Sequence, residues 1–169
     1  MIIIEIRQMA TAYLFRDNKV LMMKKFSSKL YNSEFWSGLG GHLEPEELNH
    51  PKEACQREIH EESGISKSEL LELSLRYILI RLKEDEIRQQ YVYFGKTNKK
   101  ELIASEEGEL FWINIDEVMG LHLSRINKFM IEHYLENPNK QEIIVGTITI
   151  NSEQEPEIQW SELRDPMIF

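Results

Sequence analysis

Glu58, Glu61 and Glu62 stand at i, i+3 and i+4 in a segment with helix signals at both ends. Asn49 or His50 can cap its start, Pro51 suits its first turn, and Gly64 is well placed to end it. The spacing brings three carboxylates onto one helix face within a single turn. A charge run on a helix is most often a solvated face, but two features argue against that here. Glu58 and Glu62 are like charges at i, i+4, a pairing that costs roughly 0.2–0.5 kcal/mol. All three also lie toward the C-terminal end, where the helix dipole already disfavours negative charge. Glu53 can pair with Arg57 at i, i+4, yet that pair does not neutralise the Glu58–Glu62 face. A divalent cation removes both penalties, and oxygen-only ligands suit Mg²⁺ or Mn²⁺.

The helix belongs to a longer pattern, GHLEPEELNHPKEACQREIHEESGI over 41–65. It resembles the Nudix box: Gly, five residues, Glu, seven residues, then Arg-Glu-U-x-Glu-Glu-x-Gly-U with U apolar. Gly41 and Glu47 fit the first half, and Arg57 to Ile65 fit every defined position of the second. Nine residues separate Glu47 from Arg57 instead of seven, and the extra two fall near Asn49-His50, in the loop before the helix, where insertions are tolerated. Leu39-Gly40-Gly41 replaces the family's usual Pro-Gly-Gly, and Glu46 stands where relatives often carry Gly. These departures alter loop shape and spare the helix carboxylates.

The resemblance implies an α/β/α sandwich (α/β or α+β class) with a mixed central sheet, and roles for individual residues. Glu58, Glu61 and Glu62 would hold the metal, one of them also serving as base, with the carbonyl of Gly40 as a further ligand. Arg57 and Glu47 would pair to hold the loop against the helix, and Gly64 would permit the turn out of it. Relatives often place one more acidic residue shortly before a Trp; Glu106 and Glu107 precede Trp112 in that way, and Glu107 is the choice between them. The implied chemistry is Mg²⁺-assisted hydrolysis of a phosphoanhydride, Mn²⁺ being an alternative cation. The implied substrate is a small nucleotide: a nucleoside triphosphate, oxidised ones such as 8-oxo-dGTP included, ahead of sugar nucleotides, ADP-ribose or dinucleoside polyphosphates.

Around the box the chain alternates strand and helix signals. Residues 2–15 and 19–24 read as strands joined at Asp17-Asn18, and 25–43 reads as a Gly-containing loop. Leu73–Lys83 and Ile87–Gly95 read as a hairpin, Leu110–Ile113 as a short strand, and Ser124–Glu136 as an amphipathic helix. Glu142–Ile150 reads as a further strand, at an edge or against a partner subunit, and the last nineteen residues as a tail. One domain spanning 1–169 is expected, with a homodimer as the hypothesis for its assembly.

Twenty-nine acidic against twenty basic residues give a net charge of −9, which disfavours nucleic-acid polymers and anionic membranes. A cation lets such a chain hold a small anion. With one cysteine, Cys55, there is no intrachain disulfide; no segment reads as a signal peptide or membrane span, and a cytoplasmic location is expected. His42 and Lys24 are the candidate substrate contacts; Lys25, Arg76, Arg81 and Arg88 could also meet phosphate. Trp36, Tyr77, Tyr91 and Phe94 could stack on a base, though core packing is the commoner fate of such residues. Two other functions share the fold. A nucleotide sensor without catalysis would ordinarily lose box carboxylates, which this chain keeps. An isopentenyl diphosphate isomerase-like enzyme would need a cysteine in the cleft, whereas Cys55 lies in the box helix.

Overall fold

The computed structural model describes residues 4–26 and 34–168. Strand β1 (Glu5–Arg16) turns through Asp17, in the left-handed region at φ 55°, into β2 (Lys19–Phe26). Short strands β3 (Glu34–Ser37) and β4 (Leu39–His42) lead to helix α1 (Pro51–Ser63), which ends on Gly64 at φ 73°. The hairpin β5 (Leu71–Lys83) and β6 (Glu86–Lys96) follows, then β7 (Glu109–Asn114) and helix α2 (Arg125–Glu136). Strands β8 (Ile143–Ile150) and β9 (Pro156–Leu163) complete the described chain.

The strands form one mixed sheet in the order β3-β2-β1-β6-β5-β8-β9, with β4 on β1 and β7 on β2. β1 runs parallel to β6, and β5 parallel to β8; the other pairs are antiparallel. Alternation along the strands gives each face its own core. On one face, Ala54, Cys55 and Ile59 of α1 join a cluster with Ala10, Ala12 and Leu14 of β1. On the other, Met130 and Ile131 of α2 join Tyr13, Tyr77, Leu79, Val92 and Phe94. The architecture is therefore a helix–sheet–helix sandwich. Among the described residues no helix is long and apolar enough to cross a membrane.

Three expectations are corrected. The 25–43 segment is not simply a loop, since it carries β3 and β4, while 27–33 lie outside the described residues. These strands are four residues each, and Gly40-Gly41 gives β4 no β-branched signature to read. The residues after 150 are not a tail: β9 pairs along its whole length with β8. β8 in turn is no edge, being flanked by β5 and β9. Its neighbour escaped notice because Pro156, Glu157, Gln159, Ser161 and Glu162 have low strand propensity.

Trp160 explains why β9 docks. Its ring lies 4.5 Å from that of His133 on α2 and 5.7 Å from Tyr77, and a side chain at Gly146 would collide with it. Trp160→Ala is expected to lower unfolding stability by about 2–4 kcal/mol in urea denaturation, a little below the roughly 3–5 kcal/mol for a fully buried aromatic because Trp160 is partly exposed. A change within about 0.5 kcal/mol would return the segment to a loose surface tail.

Candidate active site

Helix α1 packs over β4 and β1, and this contact determines where the box carboxylates lie. A Cβ at Gly41 would sit 2.5 Å from Glu58 Oε1, so a side chain there would displace that carboxylate from its present position. At Gly40 the backbone has φ 155°, and a Cβ would lie 2.1 Å from the carbonyl oxygen of Ala10. The Gly40 N–H donates to Glu62 Oε2 at 2.8 Å. Glu62 is the most deeply placed acid, 3 % exposed, with Lys25 Nζ 3.9 Å from its other oxygen. Burial foremost pushes its carboxyl up to about 7; Lys25 and the Gly40 N–H oppose that rise, and the charges of Glu58 and Glu107 add to it. A buried carboxylate is expected to be paired or to coordinate a cation.

Arg57 gathers the other acids. Its Nε and Nη2 meet the two oxygens of Glu47 at 2.8 and 2.9 Å, a two-pronged pair. Its Nη1 donates to Glu58 Oε1 at 2.8 Å and Glu61 Oε2 at 3.1 Å, and Nη2 also reaches the His42 carbonyl at 3.2 Å. The Arg57 hydrogen bonds hold the Glu47 carboxyl below its ordinary value, and Glu47 in turn raises the guanidinium's. Glu47 also accepts from the Glu44 N–H at 2.9 Å, bracing the loop before α1. The Glu53–Arg57 pair foreseen from spacing is replaced by this network, because Glu47 offers a fork and Glu53 stands in the first turn of α1.

Glu107 reaches the same region from the loop before β7, 4.0 Å from Lys25 Nζ. The two lysines of β2 diverge as strand alternation requires. Lys24 pairs with Glu34 at 2.9 Å, so it is Lys25, and not Lys24, that joins Glu62 and Glu107. His42 is exposed and contributes its carbonyl to Arg57. His60 is exposed. Tyr77 and Phe94 belong to the α2-face core, and Trp36 tilts against Phe111. Cys55 is fully buried and its thiol is raised by burial, which removes it from any cleft chemistry. Lys25 was discernible in sequence only as one of several strand cations, since its direction depends on register.

The donor set is hard oxygen throughout, which suits Mg²⁺ or Mn²⁺. Among the described residues no three acidic, His or Cys side chains converge closely enough to hold an ion as they stand, because Glu58 and Glu61 both turn onto Arg57. Ion binding therefore requires those two carboxylates to exchange a guanidinium for the metal.

The NUDIX domain model matches residues 6–135, from β1 to the last turn of α2. The chain belongs to the Nudix family. Solved structures agree in fold. A mutator MutT protein from Bacillus halodurans is 22% identical, matching 91% of this chain and 97% of its own, with a TM-score of 0.67. A MutT protein from Methanosarcina mazei Go1 is 18% identical over 81% of this chain and 98% of its own, at 0.66. A NUDIX hydrolase from Nitrosomonas europaea is 15% identical over 85% and 79%, at 0.68. A search of curated protein sequences returns no match. As a Nudix hydrolase the chain is an enzyme of the class that cleaves nucleoside diphosphate compounds, a family that generally uses divalent cations.

Arg57→Gln removes one partner from three carboxylates and is expected to lower unfolding stability by about 1–3 kcal/mol in metal-free denaturation. Arg57→Lys keeps the charge but cannot grip Glu47 with two prongs, so it should recover only part of the loss. Unchanged stability in both variants would mean that Arg57 does not organise the site.

Proposed function

We propose that the chain hydrolyses a phosphoanhydride bond in a nucleoside diphosphate linked to another group, with Mg²⁺ held by Glu58, Glu61 and Glu62. Nucleoside triphosphates, oxidised ones such as 8-oxo-dGTP included, are the first substrates to test. The observation that carries this reading is Glu62: a carboxylate 3 % exposed, beside Gly40 and Glu58, with a single ammonium near it. Such a group is poorly satisfied by protein alone and well suited to a hard cation.

In this reading Glu58, Glu61 and Glu62 are ligands, the Gly40 carbonyl and Glu107 add oxygen donors, and Mn²⁺ can stand in for Mg²⁺. A cation held there would supply neutralisation of the diphosphate charge and a lowered pKa for the attacking water. A glutamate within hydrogen-bond reach takes the proton of that water. Lys25, between Glu62 and Glu107, supplies a positive charge for the phosphate. Arg57 and Glu47 act indirectly, holding the loop from Gly41 to Leu48 against the helix. An acidic chain of this kind favours a small nucleotide over a nucleic-acid polymer.

The test is phosphate and pyrophosphate release across a nucleotide panel with Mg²⁺, for wild type, Glu61→Gln and Glu62→Gln. Turnover of one substrate class is expected, falling by about 100-fold or more in the variants and abolished by chelator. Tight nucleotide binding without turnover of any panel member would favour a non-catalytic sensor instead.

A further inference from the structure

Strand β5 breaks its alternation at one residue. Its register with β6 runs Ser74 with Phe94, Leu75 with Tyr93 and then Tyr77 with Val92, so Arg76 is the extra residue of a β-bulge. The ladder with β8 begins only at Tyr77, which leaves Arg76 without a strand partner on either side. Leu75 packs with the α1-face cluster and Tyr77 with the α2-face core. Strict alternation leaves no place for a residue between two such neighbours, and the bulge supplies one. The Arg76 guanidinium lies 5.7 Å from the Phe94 ring, on the α2 side. Its Nε is sealed from solvent and has no hydrogen-bond partner among the described residues. An orphaned donor of this kind is costly, and in a folded chain it calls for a partner.

Arg76 lines a cavity of about 700 Å³, a volume in the range of small-molecule sites. Phe15, near the end of β1, lines it too, whereas the β1 residues that pair with β4 beside the box are 9–12. Phe15, Phe94 and Tyr134 give it an aromatic wall, with ring centroids 4.9 to 5.7 Å apart. Burial raises the Tyr134 pKa against the opposing charge of Arg76, so the hydroxyl remains a donor. The other charges that line the cavity do not answer Arg76. Lys96 and Glu72 pair with each other at 2.7 Å, and Asp17 stands exposed on the turn after β1, in no ion pair among the described residues. One guanidinium is thus open, with an unpaired carboxylate on the same cavity. A dianion would meet that carboxylate and find one free cation, whereas a singly charged oxyanion matches the guanidinium. The aromatic wall adds apolar area that an inorganic ion cannot use.

We propose that this cavity binds a small organic carboxylate, its oxygens on the Arg76 guanidinium and the Tyr134 hydroxyl and its apolar body against Phe15 and Phe94. A guanidinium grips a carboxylate with two parallel N–H donors, and the buried Nε of Arg76 is one that such a ligand would satisfy. The cavity shares no residue with the box, nor with Lys25 and Glu107. Binding there is independent of the hydrolase reading.

The probe is phenylacetate, a monoanion carrying one ring, titrated by calorimetry into the full chain at constant ionic strength. Saturable binding with a Kd below about 10 mM is expected. Arg76→Gln should weaken it roughly tenfold or more, as for a lost charge-assisted pair. Tyr134→Phe keeps the ring and its packing, removes the hydroxyl, and should weaken binding about threefold or more. Arg81→Gln, a half-buried arginine of β5 outside this cavity, should bind as wild type does. Phenethylamine, which carries an ammonium in place of the carboxylate, should not bind, and inorganic phosphate should bind more weakly than phenylacetate. Absence of saturable phenylacetate binding overturns the proposal, as does unchanged affinity in Arg76→Gln, or in Tyr134→Phe should Arg76→Gln fail to fold. Binding lost in Arg81→Gln would place the probe elsewhere, and phosphate or phenethylamine binding as tightly as phenylacetate would show the ligand class to be wrong; either result also overturns it.

Discussion

The site rests on the contact between a pair of glycines and the acidic face of one helix. Gly40 and Gly41 let α1 approach β4 so closely that Glu58 fills the space a side chain would take and Glu62 accepts a backbone N–H. That approach concentrates negative charge in a small volume, adding to the like-charge and dipole penalties that the helix already carries. Arg57 and Lys25 offset part of it, from the helix and from β2 respectively. The ordering of the loop before α1 follows from the same Arg57, which holds Glu47 and the His42 carbonyl together.

Two aspects of the arrangement suit phosphoanhydride chemistry. The acids differ in environment, Glu62 buried beneath the glycine turn and Glu61 more than half exposed, so they need not perform the same task. The guanidinium that bridges Glu58 and Glu61 occupies the position of a counter-charge, where the proposed cation would stand.

How much of this could be read from the residues depended on whether the cause was local. The box is local: Pro51, the glutamate spacing and Gly64 all act within 25 residues, and the helix begins and ends where they put it, although His50 at its N-cap makes no side-chain capping hydrogen bond. β4 and β9 are not local. A four-residue strand containing two glycines becomes a strand only because β1 is beside it, and a polar Pro-containing segment becomes one because Trp160 docks on His133. The choice between Lys24 and Lys25 depended on the register of β2, and Glu107 on where a loop happens to return. The cross-strand alignment of Arg7, Arg88 and Arg81 on β1, β6 and β5 is the extreme case. Arg81 and Arg88 were visible as strand cations, yet their alignment with Arg7 follows from the parallel pairing of β1 with β6, which no local pattern encodes.

The central claim is that Glu58, Glu61 and Glu62 bind one cation by exchanging Arg57 for it. Titrating Mn²⁺ into the metal-free chain, followed by electron paramagnetic resonance, tests it most directly. The account predicts a saturable site in wild type, weakened about tenfold or more in Glu58→Gln and in Glu62→Gln, and unaffected by Glu53→Gln on the first turn of the same helix. Mn²⁺ that remains free, or that binds all three variants as it binds wild type, would contradict it.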